Sequence, residues 1–226
     1  MDDRIDDDTA FAALPGASDR LATALTRLAR PVTLARGDTL FRQGDPGAAL
    51  YTLEKGLLEV SVVSPEGQKL TLNALLPGDT FGEIALFDAG PRTATVTALE
   101  DSRLSQVERR VLTEALRREP DLAIDALDLA GRRLRWYGEA VRELAFLPVA
   151  ARLARRLLYL QGRFGQEQRD IRLTQTELSE HVGATREAVS KVLAGWRRAG
   201  LIELGRGRLR VTQPEALALV AAGTED

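Results

Sequence analysis

Between Val32 and Val107 the chain is told to turn every few residues. Turn signals at Arg36-Gly37-Asp38, Gly44-Asp45-Pro46-Gly47, Glu54-Lys55-Gly56, Ser64-Pro65-Glu66-Gly67 and Pro77-Gly78-Asp79 separate short β-rich runs. In one of these runs Leu57, Glu59, Ser61 and Val63 fall on one face of an extended strand, and Leu58, Val60 and Val62 on the other. Closely spaced strands with glycine-rich corners imply a compact antiparallel barrel or sandwich.

The texture then changes. After Glu108 glycines and β-branched residues thin out, and a long helix is expected from about Pro120 to Phe146. Along it Leu127, Ala130, Leu134, Tyr137, Val141 and Leu144 recur at alternating intervals of three and four, the a/d spacing of a two-stranded coiled coil. That seam predicts a homodimer; the competing reading lays the same stripe on the chain's own barrel. Leu14 to Leu28 also carries helical spacing, whereas residues 1–9 are polar and are expected to fray. Leu147-Pro148 reads as a hinge, because proline disfavours helical geometry in the residue before it. The expected division is therefore 1–109, 110–147 and 148–226.

Composition narrows the chemistry. With 44% apolar and 28% charged residues over 226 positions, the chain is ordinary for a soluble protein. No apolar run approaches the roughly 18 residues of a membrane span, and the acidic start MDDRIDDDTAF is unlike a basic secretory signal, so a cytoplasmic protein is expected. Without cysteine there is neither a disulfide nor a thiolate-ligated cluster, and one histidine leaves little for zinc or haem. No metal, haem or iron–sulfur cluster is expected, and any effector is an organic ligand. The net charge of −2 conceals a split: residues 148–226 hold 13 Lys/Arg against 9 Asp/Glu, whereas residues 1–147 hold 18 against 24. The end suited to a polyanion is the C-terminal one.

The stretch FGEIALFDAGPRTATV, residues 81–96, assembles the parts needed to hold a cyclic phosphodiester. Gly82 lets backbone N–H groups approach a ligand, and a short helix from Glu83 through Ile84 and Ala85 aims its positive end at an anion. Arg92 supplies two parallel donors to phosphate oxygens, Thr93 a third donor, and the Glu83 carboxylate accepts from a ribose 2′-OH. Pro91 stiffens the approach to Arg92, and Ile84, Leu86 and Val96 are expected to anchor the loop.

Further on, TQTELSEHVGATREAVSKVL, residues 174–193, meets the packing needs of a helix-turn-helix. Gly183 tolerates the positive φ of the turn, small Ser179 lets the helices approach, and Leu178, Val182, Val189 and Val192 supply their contact. Thr185 caps the second helix, leaving Arg186, Glu187, Ser190 and Lys191 on its exposed N-terminal face as base-reading candidates. Arg186 suits guanine, Glu187 the amino group of cytosine, and Lys191 guanine or a phosphate. His181 reads as a solvated helix residue. Residues 200–204 and 209–211, joined across Gly205-Arg206-Gly207-Arg208, read as a hairpin wing, with Thr176, Arg206, Arg208 and Arg210 available to phosphates.

Residues 81–96 closely resemble the phosphate-binding cassette of cyclic-nucleotide-binding domains. Leu144-Ala145-Phe146-Leu147-Pro148-Val149 and Arg186-Glu187 resemble the hinge and the major-groove pair of the Crp/Fnr regulators. The resemblance covers roughly residues 30–212. It implies an α+β protein: an N-terminal antiparallel β-roll that binds cyclic nucleotide, a long central dimerisation helix, and a C-terminal winged helix-turn-helix. It also implies a transcription regulator whose partners are near-palindromic double-stranded DNA, a second copy of itself and RNA polymerase. Cyclic-AMP-responsive members often present a threonine–serine pair from the central helix to the base, and alignment on Leu144-Ala145-Phe146-Leu147 puts Tyr137-Gly138 there. A hydroxyl at Thr93 is compatible with either purine; cyclic AMP is preferred over cyclic GMP as the commoner effector. Two alternatives stay open: an effector-independent DNA-binding regulator of the same fold, and a nucleotide-responsive protein-interaction module. No nucleophile–histidine pair, two-metal carboxylate set or P-loop signature points to an enzyme.

Overall fold

The computed structural model describes residues 16–88, 90–163, 170–205 and 207–223. These divide into two compact units, one ending at Trp136 and the other starting at Tyr137.

The first unit opens with α1 (Asp19–Leu28), which starts later than the apolar spacing suggests because the Ser18 hydroxyl accepts from Leu21 N at 3.2 Å and caps it there. The strands are β1 (Arg30–Leu34), β2 (Thr39–Phe41), β3 (Ala49–Lys55), β4 (Leu58–Val63), β5 (Lys69–Leu75), β6 (Thr80–Phe81), β7 (Thr95–Ala98) and β8 (Ser102–Glu108). A single turn, α2 (Ile84–Phe87), stands between β6 and β7, and α3 (Arg109–Arg118) follows β8. The strands form two four-stranded antiparallel sheets, ordered β1-β8-β3-β6 and β2-β7-β4-β5. Turn spacing indicates a compact antiparallel barrel or sandwich and the family resemblance a β-roll, and the two sheets agree with the latter. The clean alternation expected in β4 is broken by a bulge at Val60/Ser61, and polar Glu59 and Ser61 are both buried. Glu59 is sustained there by Lys69 at 2.6 Å and by the Thr71 hydroxyl at 3.3 Å.

The long helix α4 runs from Pro120 to Phe146, as the sequence indicates. It carries two apolar stripes rather than one. Leu122, Ala126, Leu129 and Trp136, at intervals that leave Arg133 in the same row, are buried. Ala126 and Leu129 join Leu21 and Leu25 of α1, Leu50, Val107 and Leu112 in one core cluster. The seam of Leu127, Leu134 and Val141 is 63%, 74% and 65% exposed. Packing on the roll is therefore the work of the first stripe, and the second is left apolar and open. α1 is tied to α4 by polar contacts as well: Arg20 Nε and Nη2 donate to Asp125 at 2.7 and 2.8 Å, and Ser18 Oγ donates to the same carboxylate at 2.8 Å.

In the second unit α5 (Val149–Arg163), α6 (Gln175–Val182), α7 (Arg186–Arg198) and α8 (Pro214–Ala221) surround a core that includes Leu157, Leu178, Val182, Val189, Leu193 and Leu217. Strands β9 (Ile202–Gly205) and β10 (Arg208–Val211) form the hairpin. Gly205 and Arg208 are paired across it, so the turn is shorter than the four residues expected from the sequence. A capping box starts α6: Thr174 Oγ1 accepts from Glu177 N, and the Glu177 carboxylate accepts from Thr174 N at 2.7 Å. Gly183 closes α6 at φ 60°, ψ 48°, the left-handed conformation the turn requires. Among the described residues no helix is long and apolar enough to cross a membrane.

His181 departs from expectation. It is buried, and its Nδ1 lies 2.6 Å from Nη2 of Arg156, a side chain with no exposed surface. A guanidinium only donates, so Nδ1 accepts and the ring is neutral at that nitrogen. The last turns of α4 hold another buried charge, Glu143, which accepts from Arg155, while Arg155 Nε donates to the Ala221 carbonyl at 2.8 Å.

The Asp125 contacts predict a pH effect. Hydrogen bonds from Arg20 and then Ser18 hold its carboxyl at about 2 instead of the usual 3.8. A depressed folded-state value stabilises the fold above the unfolded value and loses that contribution as pH falls through the folded one. Asp125→Asn should lower the urea midpoint at neutral pH, and its difference from wild type should shrink as pH falls from about 4 toward 2.

Candidate ligand pocket and nucleic-acid interface

Arg92 is reached from both sides. Its N–H donates to the Asp45 carbonyl at 2.7 Å and its carbonyl accepts from Gly44 N at 2.8 Å, so the turn after β2 clasps its backbone. Its side chain, 7% exposed, points into the roll, where Nη2 donates to the Ala49 carbonyl at 2.8 Å and Nη1 to the Gly82 carbonyl at 3.4 Å. The guanidinium carbon stands 4.1 Å from the centre of the Phe41 ring and 5.6 Å from that of Tyr51. Nε finds no acceptor among the described residues. Burial pulls the guanidinium below its ordinary pKa, opposed by Tyr51, Glu83 and Asp45. Held by neutral carbonyls and ring faces, with no carboxylate among the described residues at ion-pair distance, this buried cation keeps capacity for an anion.

Gly82 explains the shape of the cradle. Its φ is +80°, and a Cβ there would lie 2.8 Å from Arg92 Nη1 and 3.2 Å from the Ala49 carbonyl oxygen. Glu83 is buried beside it and meets Arg133 Nη1 at 3.4 Å; Arg133 Nη2 donates to the Thr80 carbonyl. The structure thus brings Gly82, Glu83 and Arg92 together, and adds Arg133, Phe41 and Tyr51, which the sequence reading missed. Arg133 had a signal, a cation in the buried row of α4. The aromatic residues had none beyond their types.

Other expectations fare differently. Of the three expected loop anchors Val96 is buried, as is neighbouring Phe81, whereas Ile84 is exposed and the Leu86 side chain lies outside those described. Ala85 lies in α2, whose four residues are too few to sum a useful dipole, leaving the free N–H groups of a first turn. Thr93 is exposed. Tyr137 and Gly138 follow Arg133 on α4 by one turn, at the start of the second unit. The buried guanidinium with its spare Nε donor, and the glycine whose Cβ would close the cradle, fit a phosphate-bearing ligand.

In the second unit Thr185 caps α7, accepting from Ala188 N at 3.2 Å. Arg186, Glu187 and Lys191 are exposed on the first turns of α7. The Ser190 hydroxyl donates to Gln175 at 2.5 Å and is only partly exposed, so it stitches α7 to α6. A groove of about 380 Å³ lies between these helices and the hairpin, lined in part by Gln175, Thr176, Arg186, Gly207 and Arg208. Arg206 lies outside the described residues. Arg210, expected at phosphates, donates instead to Asp170 at 2.8 Å, and this bond leads in holding that carboxyl below its usual range. Arg208 reaches the same carboxylate at 3.4 Å but keeps most of its side chain in solvent.

Comparison with known proteins follows the same division. A model of the cyclic nucleotide-binding domain matches residues 31–119, and one of the Crp-like helix-turn-helix domain matches residues 151–220. The chain is 35% identical over 208 residues to the CRP-like cAMP-activated global transcriptional regulator of Mycobacterium tuberculosis, covering 90% of this chain and 93% of that one. Among solved structures, a CRP/FNR family transcriptional regulator from Thermus thermophilus superposes with TM-score 0.73 at 29% identity, covering 85% of this chain and 98% of that one. The c-di-GMP-responsive global regulator of Xanthomonas campestris gives TM-score 0.73 over 86% and 99% of the two chains, at 20% identity a likeness of fold alone.

The cradle predicts the outcome of one substitution. Gly82→Ala must strain a positive φ and displace either Arg92 or the Ala49 strand; it should lower unfolding stability by about 1–3 kcal/mol in a denaturant titration.

Proposed function

The chain belongs to the Crp/Fnr family of transcription regulators, and from that premise we propose that it acts as a homodimer whose sequence-specific DNA binding is controlled by cyclic AMP, in preference to cyclic GMP. The observation that carries the reading is the buried Arg92 guanidinium with no carboxylate at ion-pair distance among the described residues. The phosphate of a cyclic nucleotide supplies the negative charge. Arg92 and the Thr93 hydroxyl donate to it, backbone N–H groups at Gly82, Ile84 and Ala85 approach it, and Glu83, oriented by Arg133, accepts from the ribose 2′-OH. Tyr137 and Gly138 hold the α4 positions at which cyclic-AMP-responsive relatives often carry a threonine–serine pair.

The dimer follows from α4. A row of exposed leucine and valine on a 27-residue helix is unstable against water, and a second copy of the same row buries it with knobs-into-holes packing. Two recognition helices related by that symmetry read half-sites about 34 Å apart. Arg186, Glu187 and Lys191 are the base readers, while Thr176, Arg206 and Arg208 hold phosphates; Thr185 and Ser190 orient α7. Moving the DNA-competent population from 1:99 to 99:1 takes a differential affinity of about 5.5 kcal/mol, and the unpaired charge at Arg92 is where such a preference arises. The loss of side chain at Gly138 favours a second reading, DNA binding without a nucleotide switch. DNA affinity with and without each nucleotide at fixed salt separates the two.

Calorimetry with cyclic AMP, cyclic GMP and cyclic di-GMP tests the pocket. Wild type should bind cyclic AMP tightest, and Arg92→Leu should weaken it by at least about tenfold, the worth of one hydrogen bond to a charged group. Unchanged affinity in that variant sinks the reading.

A second experiment addresses DNA. Glu187→Ala should relax preference at one base pair by about 1–3 kcal/mol in a binding-site selection, whereas Arg208→Ala should weaken all sequences alike and reduce the salt slope by about 1. Unaltered sequence preference in the Glu187 variant would instead favour a protein-docking role for the C-terminal helices.

A further inference from the structure

The acceptors around Arg92 are unusual for a buried cation. No carboxylate among the described residues lies within ion-pair distance of it, and each terminal nitrogen gives one of its two N–H donors to a backbone carbonyl. What covers its face is aromatic. Phe41 and Tyr51 rings stand 5.8 Å apart, Tyr51 stacks on Phe81 at 5.6 Å, and Phe41 lies 6.4 Å from Phe81. The cluster is built by strand pairing: Tyr51 of β3 and Phe81 of β6 are directly opposite one another in the ladder. Phe41 ends β2, just before the turn that clasps the Arg92 backbone. Each ring is thus fixed by the same backbone that fixes the arginine.

We propose that Phe41 and Tyr51 are positioning residues for the ligand's phosphate, holding the Arg92 guanidinium by its face so that its remaining edge meets a singly charged phosphodiester. The proposal rests on the cyclic-nucleotide reading and deepens it.

The chemistry distinguishes rings from other partners. A carboxylate against Arg92 would neutralise it and compete with the phosphate. An aliphatic side chain would leave the desolvated charge uncompensated. A ring face attracts the cation through its quadrupole while leaving its charge in place, so positive potential is kept in the pocket until an anion arrives. The geometry also orders the two rings. At 4.1 Å Phe41 is in full contact and at 5.6 Å Tyr51 is near the limit of the interaction, so Phe41 carries more of it. Burial raises the Tyr51 phenol above its ordinary pKa, with Arg92 opposing, so the phenol stays neutral and adds no rival anion to the pocket.

The test is calorimetry of the full chain with cyclic AMP and cyclic GMP. Phe41→Leu should weaken both nucleotides by the same factor, about 2- to 30-fold, because the lost contact acts on the phosphate they share. Phe41→Tyr should restore affinity to within about twofold of wild type, and Tyr51→Leu should cost less than Phe41→Leu. Thermal unfolding of each free variant checks that the roll is intact; should leucine at 41 unfold it, Phe41→Met carries the same comparison. Wild-type affinity in a folded ring-less variant overturns the proposal. So does equal weakening in the tyrosine and leucine variants, or a loss confined to one base, which marks packing against the base. Wild type binding neither nucleotide overturns the pocket itself, an outcome visible before any variant is made.

Discussion

A guanidinium buried without a carboxylate is the constraint around which the front half of this protein is arranged. Taking a cation out of water costs several kcal/mol unless something replaces its hydration. Here the replacements are two backbone carbonyls and the faces of two rings. Each of these imposes a local condition. The Ala49 and Gly82 carbonyls must face the guanidinium, and the Gly82 backbone, at positive φ, leaves room for it that a Cβ would fill; the backbone of Arg92 must be clasped by the turn at Gly44 and Asp45. None of these groups neutralises the charge. The arrangement is therefore stable enough to exist and incomplete enough to bind, which is what a sensor of an anionic effector needs.

The central helix shows how two stripes share one sequence. Leucine and alanine at intervals of three and four satisfy either a coiled-coil seam or packing on the roll, so spacing alone offers both readings. The structure assigns each to a separate row. One row is covered by α1, α3 and the strands, and its cation, Arg133, faces the carboxylate of Glu83. The other row remains apolar and open to solvent. A helix that is buried on one side by its own roll and apolar on the other has a use for a second copy, so the proposed dimer rests on exposure rather than on periodicity.

Local rules made a large part of the fold legible. Pro120 as a helix start, Phe146 as its end, Gly183 in the left-handed turn and Thr185 as a cap are decided by residues within one turn of one another. The cassette glycine, glutamate and arginine were read from their order along the chain and from the family resemblance, and the structure places them near one another. What escaped was long-range pairing. Whether His181 meets water or Arg156, whether Arg210 meets a phosphate or Asp170, and whether Ile84 packs depend on groups tens of residues away. Arg133 stood in an apolar row and could have been flagged as a misfit. Phe41 and Tyr51 could not, because aromatic residues in strands are more often plain core.

Charge bookkeeping across the chain separates structural from functional ions. Arg20, Arg155 and Arg210 have found carboxylates within the fold, and such pairs hold elements together without leaving capacity for a partner. Arg186, Glu187 and Lys191 stand on the first turns of α7 with no ion-pair partner among the described residues, and Arg92 is buried with none. In the proposed reading the first set meets a duplex, whose base edges offer complementary donors and acceptors and whose phosphates neutralise cations with release of counter-ions. The last is open only to something small enough to enter the roll. Two kinds of uncompensated charge, one exposed on a helix and one sealed behind aromatic rings, are what a chain needs to answer two anions of very different size.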